Sequence, residues 1–162
     1  MRKFKVKIGL DFHGVITDRP EFFSAFSKAV KERGYELHII TGGPRKTVED
    51  YLNSHNIFYT AVFAILDFYD AQGEVKYFSN GEFKVPEKLW NSAKAEYCNS
   101  QGINIHIDDG TQYQKWFTTP FCHYNAETNT CRIGDCVTID LSQDADNVLC
   151  QIEEMLKTTQ FY

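Results

Sequence analysis

Between residues 4 and 18 the chain alternates lysine or glycine with apolar residues (Phe4, Val6, Ile8, Leu10) and then runs straight into Asp11, a His13-Gly14 turn and a polar pair, Thr17 and Asp18. An apolar period of two predicts a strand. A carboxylate at its carboxyl end lies where open α/β sheets keep their ligands. The alternation is more polar than a strand covered on both faces ordinarily shows.

The next segments repeat one unit. Pro20 can open a helix, Phe22, Phe23, Phe26 and Val30 share one helical face, and Gly34 stands where a left-handed cap belongs. Glu36 to Thr41 predicts a second strand, and Gly42-Gly43-Pro44 turns the chain into a helix carrying Val48, Tyr51 and Leu52. Ala61 to Leu66 has strand length. Asn80-Gly81, set between Lys76–Ser79 and Glu82–Val85, predicts a β-hairpin with a two-residue turn, so residues 67–85 read as a small insert. Pro86 opens a helix with Leu89, Trp90, Ala93 and Tyr97 on one face, Gly102 closes it, and Ile103 to Ile107 predicts a strand ending at Asp108-Asp109. Phe121–Tyr124 and Val137–Leu141 read as strands around a polar loop, and Ala145, Val148, Leu149, Ile152, Met155 and Leu156 define an amphipathic C-terminal helix. Alternating strands and helices predict an α/β fold, a three-layer sandwich around a mostly parallel, Rossmann-like sheet. A chain of 162 residues, 43% apolar, predicts a single domain over 1–162.

Composition narrows the function classes. No apolar run approaches the ~18 residues of a membrane span, and Met1 to Lys5 leads into a strand pattern and not a signal-peptide core. A cytoplasmic protein is expected. The five cysteines, Cys98, Cys122, Cys131, Cys136 and Cys150, have no regular spacing and read as reduced thiols. Cys122, His123, Cys131 and Cys136 match no common zinc pattern. His38 and His106 lie within strands and read as hydrogen-bonded sheet residues. A net charge of −5 disfavours bulk nucleic-acid binding and leaves a small substrate in a locally positive pocket.

The run Lys7-Ile8-Gly9-Leu10-Asp11-Phe12-His13-Gly14-Val15 resembles the first motif of the haloacid dehalogenase-like (HAD) phosphohydrolases, in which an apolar strand precedes Asp-x-Asp-Gly and the first Asp is the nucleophile. Thr41 after its strand and the pair Asp108-Asp109 resemble the second and fourth motifs, in the same order. Asp11 to Asp18 with Pro20 and Phe22 looks like the 5'(3')-deoxyribonucleotidases, and Ile107 to Gln112 looks like the phosphatase domain of phage polynucleotide kinases. The resemblance implies a HAD-like sheet with a minimal cap and a Mg²⁺-dependent phosphohydrolase that passes through an aspartyl-phosphate. Its substrate would be a small phosphorylated molecule, with a nucleotide or a nucleic-acid terminal phosphate in view. Asp11, the backbone oxygen of His13, Asp108 and Asp109 would hold the ion, and Mg²⁺ suits such an all-oxygen set. Thr41 and Gly42 would cradle the phosphate together with a lysine, for which Lys84 is the choice and Lys88 the alternative.

His13 departs from the family pattern, which has Asp there. An imidazole can still protonate a leaving oxygen and then activate water. The alternative is a protein on the same fold that binds Mg²⁺ and a phosphorylated ligand with little or no turnover.

Overall fold

The computed structural model describes residues 4–159. Lys3 and the rest of residues 1–3 and 160–162 lie outside the described residues. Strand β1 covers Lys7–Leu10, with Ile8 and Leu10 fully buried. Its other face carries Gly9, where a Cβ would meet His106 Nδ1 at 2.8 Å and Ile40 Cδ1 at 2.9 Å. That close approach accounts for the glycine in this strand: at Gly9 the backbone lies directly under a neighbour's ring.

Pro20 starts helix α1 (Pro20–Glu32), whose buried Phe23, Phe26 and Val30 face the sheet. Strand β2 is Glu36–Thr41, α2 is Arg45–Ser54 and β3 is Ala61–Ala64. The chain then turns directly into a short helix, α3 (Ile65–Asp70), where the sequence reads as continuing strand. Ile65 and Leu66 look like strand because they are buried either way. Next come the hairpin strands β4 (Lys76–Tyr77) and β5 (Phe83–Lys84), then α4 (Glu87–Gln101), ended by Gly102 in the left-handed region, and β6 (Ile105–Asp108). The Phe78 N–H donates to the Glu82 carbonyl at 2.8 Å, so the hairpin closes with the three residues 79–81 and not with two. After a 3₁₀ segment over Thr111–Trp116 the chain forms β7 (Phe121–Asn125), β8 (Thr130–Ile133), β9 (Val137–Asp140) and helix α5 (Ala145–Thr159). Strand β8 occupies what reads as a polar loop; only Cys131 of its four residues is buried.

Seven strands form one sheet in the order β3-β2-β1-β6-β7-β8-β9. The first five are parallel, β8 pairs antiparallel with β7, and β9 pairs antiparallel with β8 and so runs with the first five again. Helices α1, α2 and α5 share the large core on one face through residues such as Phe26, Leu52 and Leu149. Helices α3 and α4 pack on the other, around Ile65, Tyr69 and Ala93 and around Cys98. The result is an α/β sandwich with a mostly parallel sheet, and β4–β5 stands apart as a two-stranded ribbon. No helix among the described residues is long and apolar enough to cross a membrane.

One reading of the cysteines is corrected. Cys122 and Cys131 are joined as a disulfide: the antiparallel register sets Cys131 opposite Tyr124, so Cys122 lies diagonal to it across β7 and β8, with Cα atoms 5.5 Å apart. Cys98, Cys136 and Cys150 are free.

Candidate functional site

The order of the sheet turns back between β1 and β6: the chain winds outward from β1 to β3, then returns to pair β6 on the other side of β1. A crevice opens at the carboxyl ends of strands at such a switch point. Here β1 delivers Asp11, β2 delivers Thr41 and Gly42, and β6 delivers Asp108 followed by Asp109. Asp11, Gly42, Asp108 and Asp109 border a cleft of about 450 Å³, together with Lys94, Ile65, Trp90, Gln112 and Tyr113, while Thr41 is fully buried and does not line it. A larger hollow of about 680 Å³ lies elsewhere, beside Arg33, Tyr35 and Glu153. There Arg33 pairs with Glu153 at 3.0 Å, whereas the cleft carries a surplus of carboxylates.

Lys94 organises that surplus. It is 4% exposed, and its Nζ donates to Asp11 Oδ1 at 2.8 Å and to Asp108 Oδ2 at 2.9 Å. Asp108 Oδ2 also accepts from His106 Nε2 at 2.9 Å, and Asp108 Oδ1 accepts from the Gly110 N–H at 2.9 Å. A carboxylate only accepts, so His106 carries its proton on Nε2, which leaves the buried Nδ1 without a hydrogen-bond partner, against Gly9. Burial drives the His106 pKa down, against the pull of Asp108. Burial would push the Asp108 carboxyl up, but the bond from His106 and the charge of Lys94 outweigh it and hold the group well below the usual carboxylate range. Burial lifts Asp11 to about 7, with Lys94 opposing and the like charge of Asp108 adding to the rise. Lys94 itself is held above its ordinary value by the two carboxylates despite its burial. One ammonium thus serves two buried carboxylates, with a third, Asp109, exposed beside them.

Oxygens of Asp11, Asp108 and Asp109 lie within 4.8 Å of one another. Three hard donors with a net negative charge could hold an oxygen-loving divalent cation. Asp109 is packed against Gly14: a Cβ at Gly14 would collide with its carboxylate.

His13 follows Asp11 in a wide turn over Phe12–Ile16 and borders the cleft with its ring exposed. Gly14 has φ +80°, and its N–H donates to Thr17 Oγ1 at 2.9 Å. Tyr124 donates to Asp18 at 2.5 Å and so ties this turn to β7. The His13 ring meets Phe12 edge-on, with centroids 4.8 Å apart. Thr41 is fully buried, and its Oγ1 accepts the Gly43 N–H at 3.3 Å, which leaves the hydroxyl proton free to donate. The Arg45 N–H at the start of α2 is taken by Asp67 Oδ2 at 2.8 Å, so that helix end offers fewer free donors than its sequence implies.

The structure brings a different lysine to the cleft. Lys84 lies exposed on the hairpin and Lys88 exposed on the first turn of α4, while Lys94 occupies the cleft. The missed signal was periodicity: Lys94 follows Trp90 by four and precedes Tyr97 by three, a lysine inside the buried stripe of α4. Trp90, on that same stripe, is half-buried and borders the cleft.

Comparison with known protein families finds no matching family, and comparison with curated proteins finds no match. Among solved structures, a glycosyltransferase from Rickettsia africae ESF-5 is similar over 76% of this chain and 30% of that one, at 15% identity and a TM-score of 0.47. The chain spans less than a third of that protein, and so distant a likeness says nothing about the cleft.

Proposed function

We propose that this chain is a HAD-like, Mg²⁺-dependent phosphohydrolase that acts on a small phosphate monoester, with nucleotides among its candidate substrates. The observation that carries the reading is the convergence of Asp11, Lys94, Asp108 and Asp109 from separate elements in one cleft at the switch point of the sheet. A surplus of buried carboxylates with one shared ammonium has little structural purpose, since an apolar filling would be at least as stable. The carboxylates of Asp11, Asp108 and Asp109 and the backbone oxygen of His13 would hold the ion. When bound, it would screen the phosphoryl charge and stabilise the transition state.

In this reading Asp11 is the nucleophile. One of its carboxylate oxygens forms a bond to phosphorus as the ester P–O bond breaks, and the leaving oxygen takes a proton from the His13 imidazolium. Neutral His13 then takes a proton from water, the resulting hydroxide attacks phosphorus, and cleavage of the P–O bond to Asp11 returns the carboxylate and releases phosphate. Lys94 orients Asp11 and Asp108, and the Thr41 hydroxyl donates to a phosphate oxygen. A second reading, binding with little turnover, draws on His13: its ring is exposed and meets Phe12 edge-on, with no hydrogen bond to orient it among the described residues.

Hydrolysis of p-nitrophenyl phosphate and a panel of nucleotides, with Mg²⁺ and with EDTA, tests the proposal. Metal-dependent release of phosphate that Asp11→Asn abolishes supports it. Turnover in neither the parent nor His13→Asp, with Mg²⁺ still bound, favours the binding protein.

A further inference from the structure

His106 is fully buried and stands on β6 two residues before Asp108, so the two side chains share one face of the sheet. Three neighbours confine its ring. Gly9, its register partner on β1, has no side chain, and a Cβ there would come within 2.8 Å of Nδ1. The Phe117 ring lies parallel to the imidazole with centroids 5.1 Å apart, and Phe121 meets it edge-on at 6.0 Å. The imidazole is thereby held with Nε2 on Asp108 Oδ2 at 2.9 Å.

That bond decides what Asp108 has left to offer. An ionised carboxylate accepts at about four positions, two on each oxygen. Lys94 Nζ and His106 Nε2 fill both positions on Oδ2, and the Gly110 N–H takes one of the two on Oδ1. The remaining position is on Oδ1. Without the imidazole a second would open on Oδ2, and the carboxylate could then meet a cation with both oxygens.

We infer that His106 is a positioning residue for metal selectivity: by occupying Oδ2 it restricts Asp108 to a single ligand atom, Oδ1, and so favours Mg²⁺ over the larger Ca²⁺. The inference rests on the metal site of the phosphohydrolase reading and adds what makes that site discriminate. Mg²⁺ demands near-ideal octahedral geometry, which the narrow bite of a bidentate carboxylate distorts, whereas Ca²⁺ takes about six to eight oxygens and accepts carboxylates by one oxygen or by both. Lys94 does not supply this selection by itself, since its ammonium fills one position on Oδ2 and offsets charge for either cation alike.

Calorimetric titration of the parent, His106→Leu and His106→Gln with Mg²⁺ and with Ca²⁺ reads the ratio of the two affinities. His106→Leu removes the donor and is expected to lower Mg²⁺ affinity by about ten-fold or more, the usual effect of losing a group that orients a metal ligand. Ca²⁺ affinity is expected to fall less, so the ratio shifts toward Ca²⁺. His106→Gln places an amide N–H where Nε2 stood and is expected to keep most of the parent's ratio. Loss of packing alone would weaken both cations in proportion. An unchanged ratio in His106→Leu, or an equal shift in His106→Gln, would overturn the inference and leave the phosphohydrolase intact; a parent that binds neither cation would overturn the metal site and the inference together. A second measurement uses the parent alone and decides the matter should His106→Leu not fold. Proton–nitrogen correlation spectra of the imidazole are expected to show Nε2 keeping its slowly exchanging proton when Mg²⁺ is added. A proton on Nδ1 alone, or an Nε2 proton released to solvent exchange on Mg²⁺ binding, would mean that Oδ2 is free, and would overturn the inference.

Discussion

Lys94 Nζ lies 2.8 Å from Asp11 Oδ1, across 83 residues of sequence and nearly shielded from solvent. The same ammonium reaches Asp108, so a single positive charge holds together two carboxylates that would otherwise repel each other. Strand β1 meets β6 only through folding, and α4 places the lysine over their shared end.

The first prediction follows from that charge count. Lys94→Met leaves Asp11 and Asp108 buried without a counter-ion, and breaking a buried pair in this way costs about 3–5 kcal/mol. Urea unfolding without metal is expected to show that loss, and added Mg²⁺ to recover part of it. Lys84→Ala removes an exposed hairpin charge and is expected to stay within about 0.5 kcal/mol of the parent. Equal effects from the two variants would deny Lys94 its role.

The two neighbouring carboxylates should respond differently to loss of charge. Asp108 accepts from Lys94, His106 and the Gly110 N–H, whereas Asp109 is exposed. Asp108→Asn is therefore expected to weaken Mg²⁺ binding and to lower stability by at least the ~1.5–3 kcal/mol of one hydrogen bond to a charged group. Asp109→Asn is expected to weaken binding with the melting temperature unchanged. Calorimetric titration beside a thermal melt separates the two; a melting loss in Asp109→Asn would contradict its exposure.

A third prediction concerns acid stability. The hydrogen bond from His38 and the ammonium groups of Lys5 and Lys7 hold the Glu36 carboxyl at about 2, against its ordinary value of 4.5. A carboxyl depressed by folding contributes stability that is fully present above its unfolded value and is lost as pH falls through its folded value. The stability gap between the parent and Glu36→Gln is thus expected to be constant near neutrality and to close between pH 4.5 and about 2. Urea unfolding across pH measures it, and a gap that persists at pH 2 would rule the linkage out.

These contrasts also show which parts of the molecule local sequence could specify. Strand β2 and the limits of α1 follow from periodicity and from Pro20, because adjacent residues encode them. Asp11 and the Asp108-Asp109 pair were legible because a carboxylate directly after an apolar strand is a local pattern. Lys94 was hidden because its partners lie on other strands; along the chain it is one lysine in a helix. The Cys122–Cys131 pairing was hidden for the same reason, since β8 is buried at a single position and carries almost no strand pattern. The start of α3 was ambiguous because Ile65 and Leu66 are apolar in either conformation.

The last prediction turns on Gly14. Its φ of +80° costs an L-residue about 1–2 kcal/mol, and a side chain there also meets the Asp109 carboxylate. Gly34 provides the control, with φ +71° and nothing within 4 Å of a new Cβ. Gly34→Ala is expected to lose only the backbone cost and to bind Mg²⁺ as the parent does. Gly14→Ala is expected to lose more stability, because either the turn or Asp109 must move, and to bind Mg²⁺ more weakly, because one of the three clustered carboxylates is displaced. The difference between the two variants cancels the shared backbone term and isolates the contact. If Gly14→Ala matches Gly34→Ala in both melting temperature and Mg²⁺ affinity, Asp109 is not held against the turn and does not contribute to the metal site.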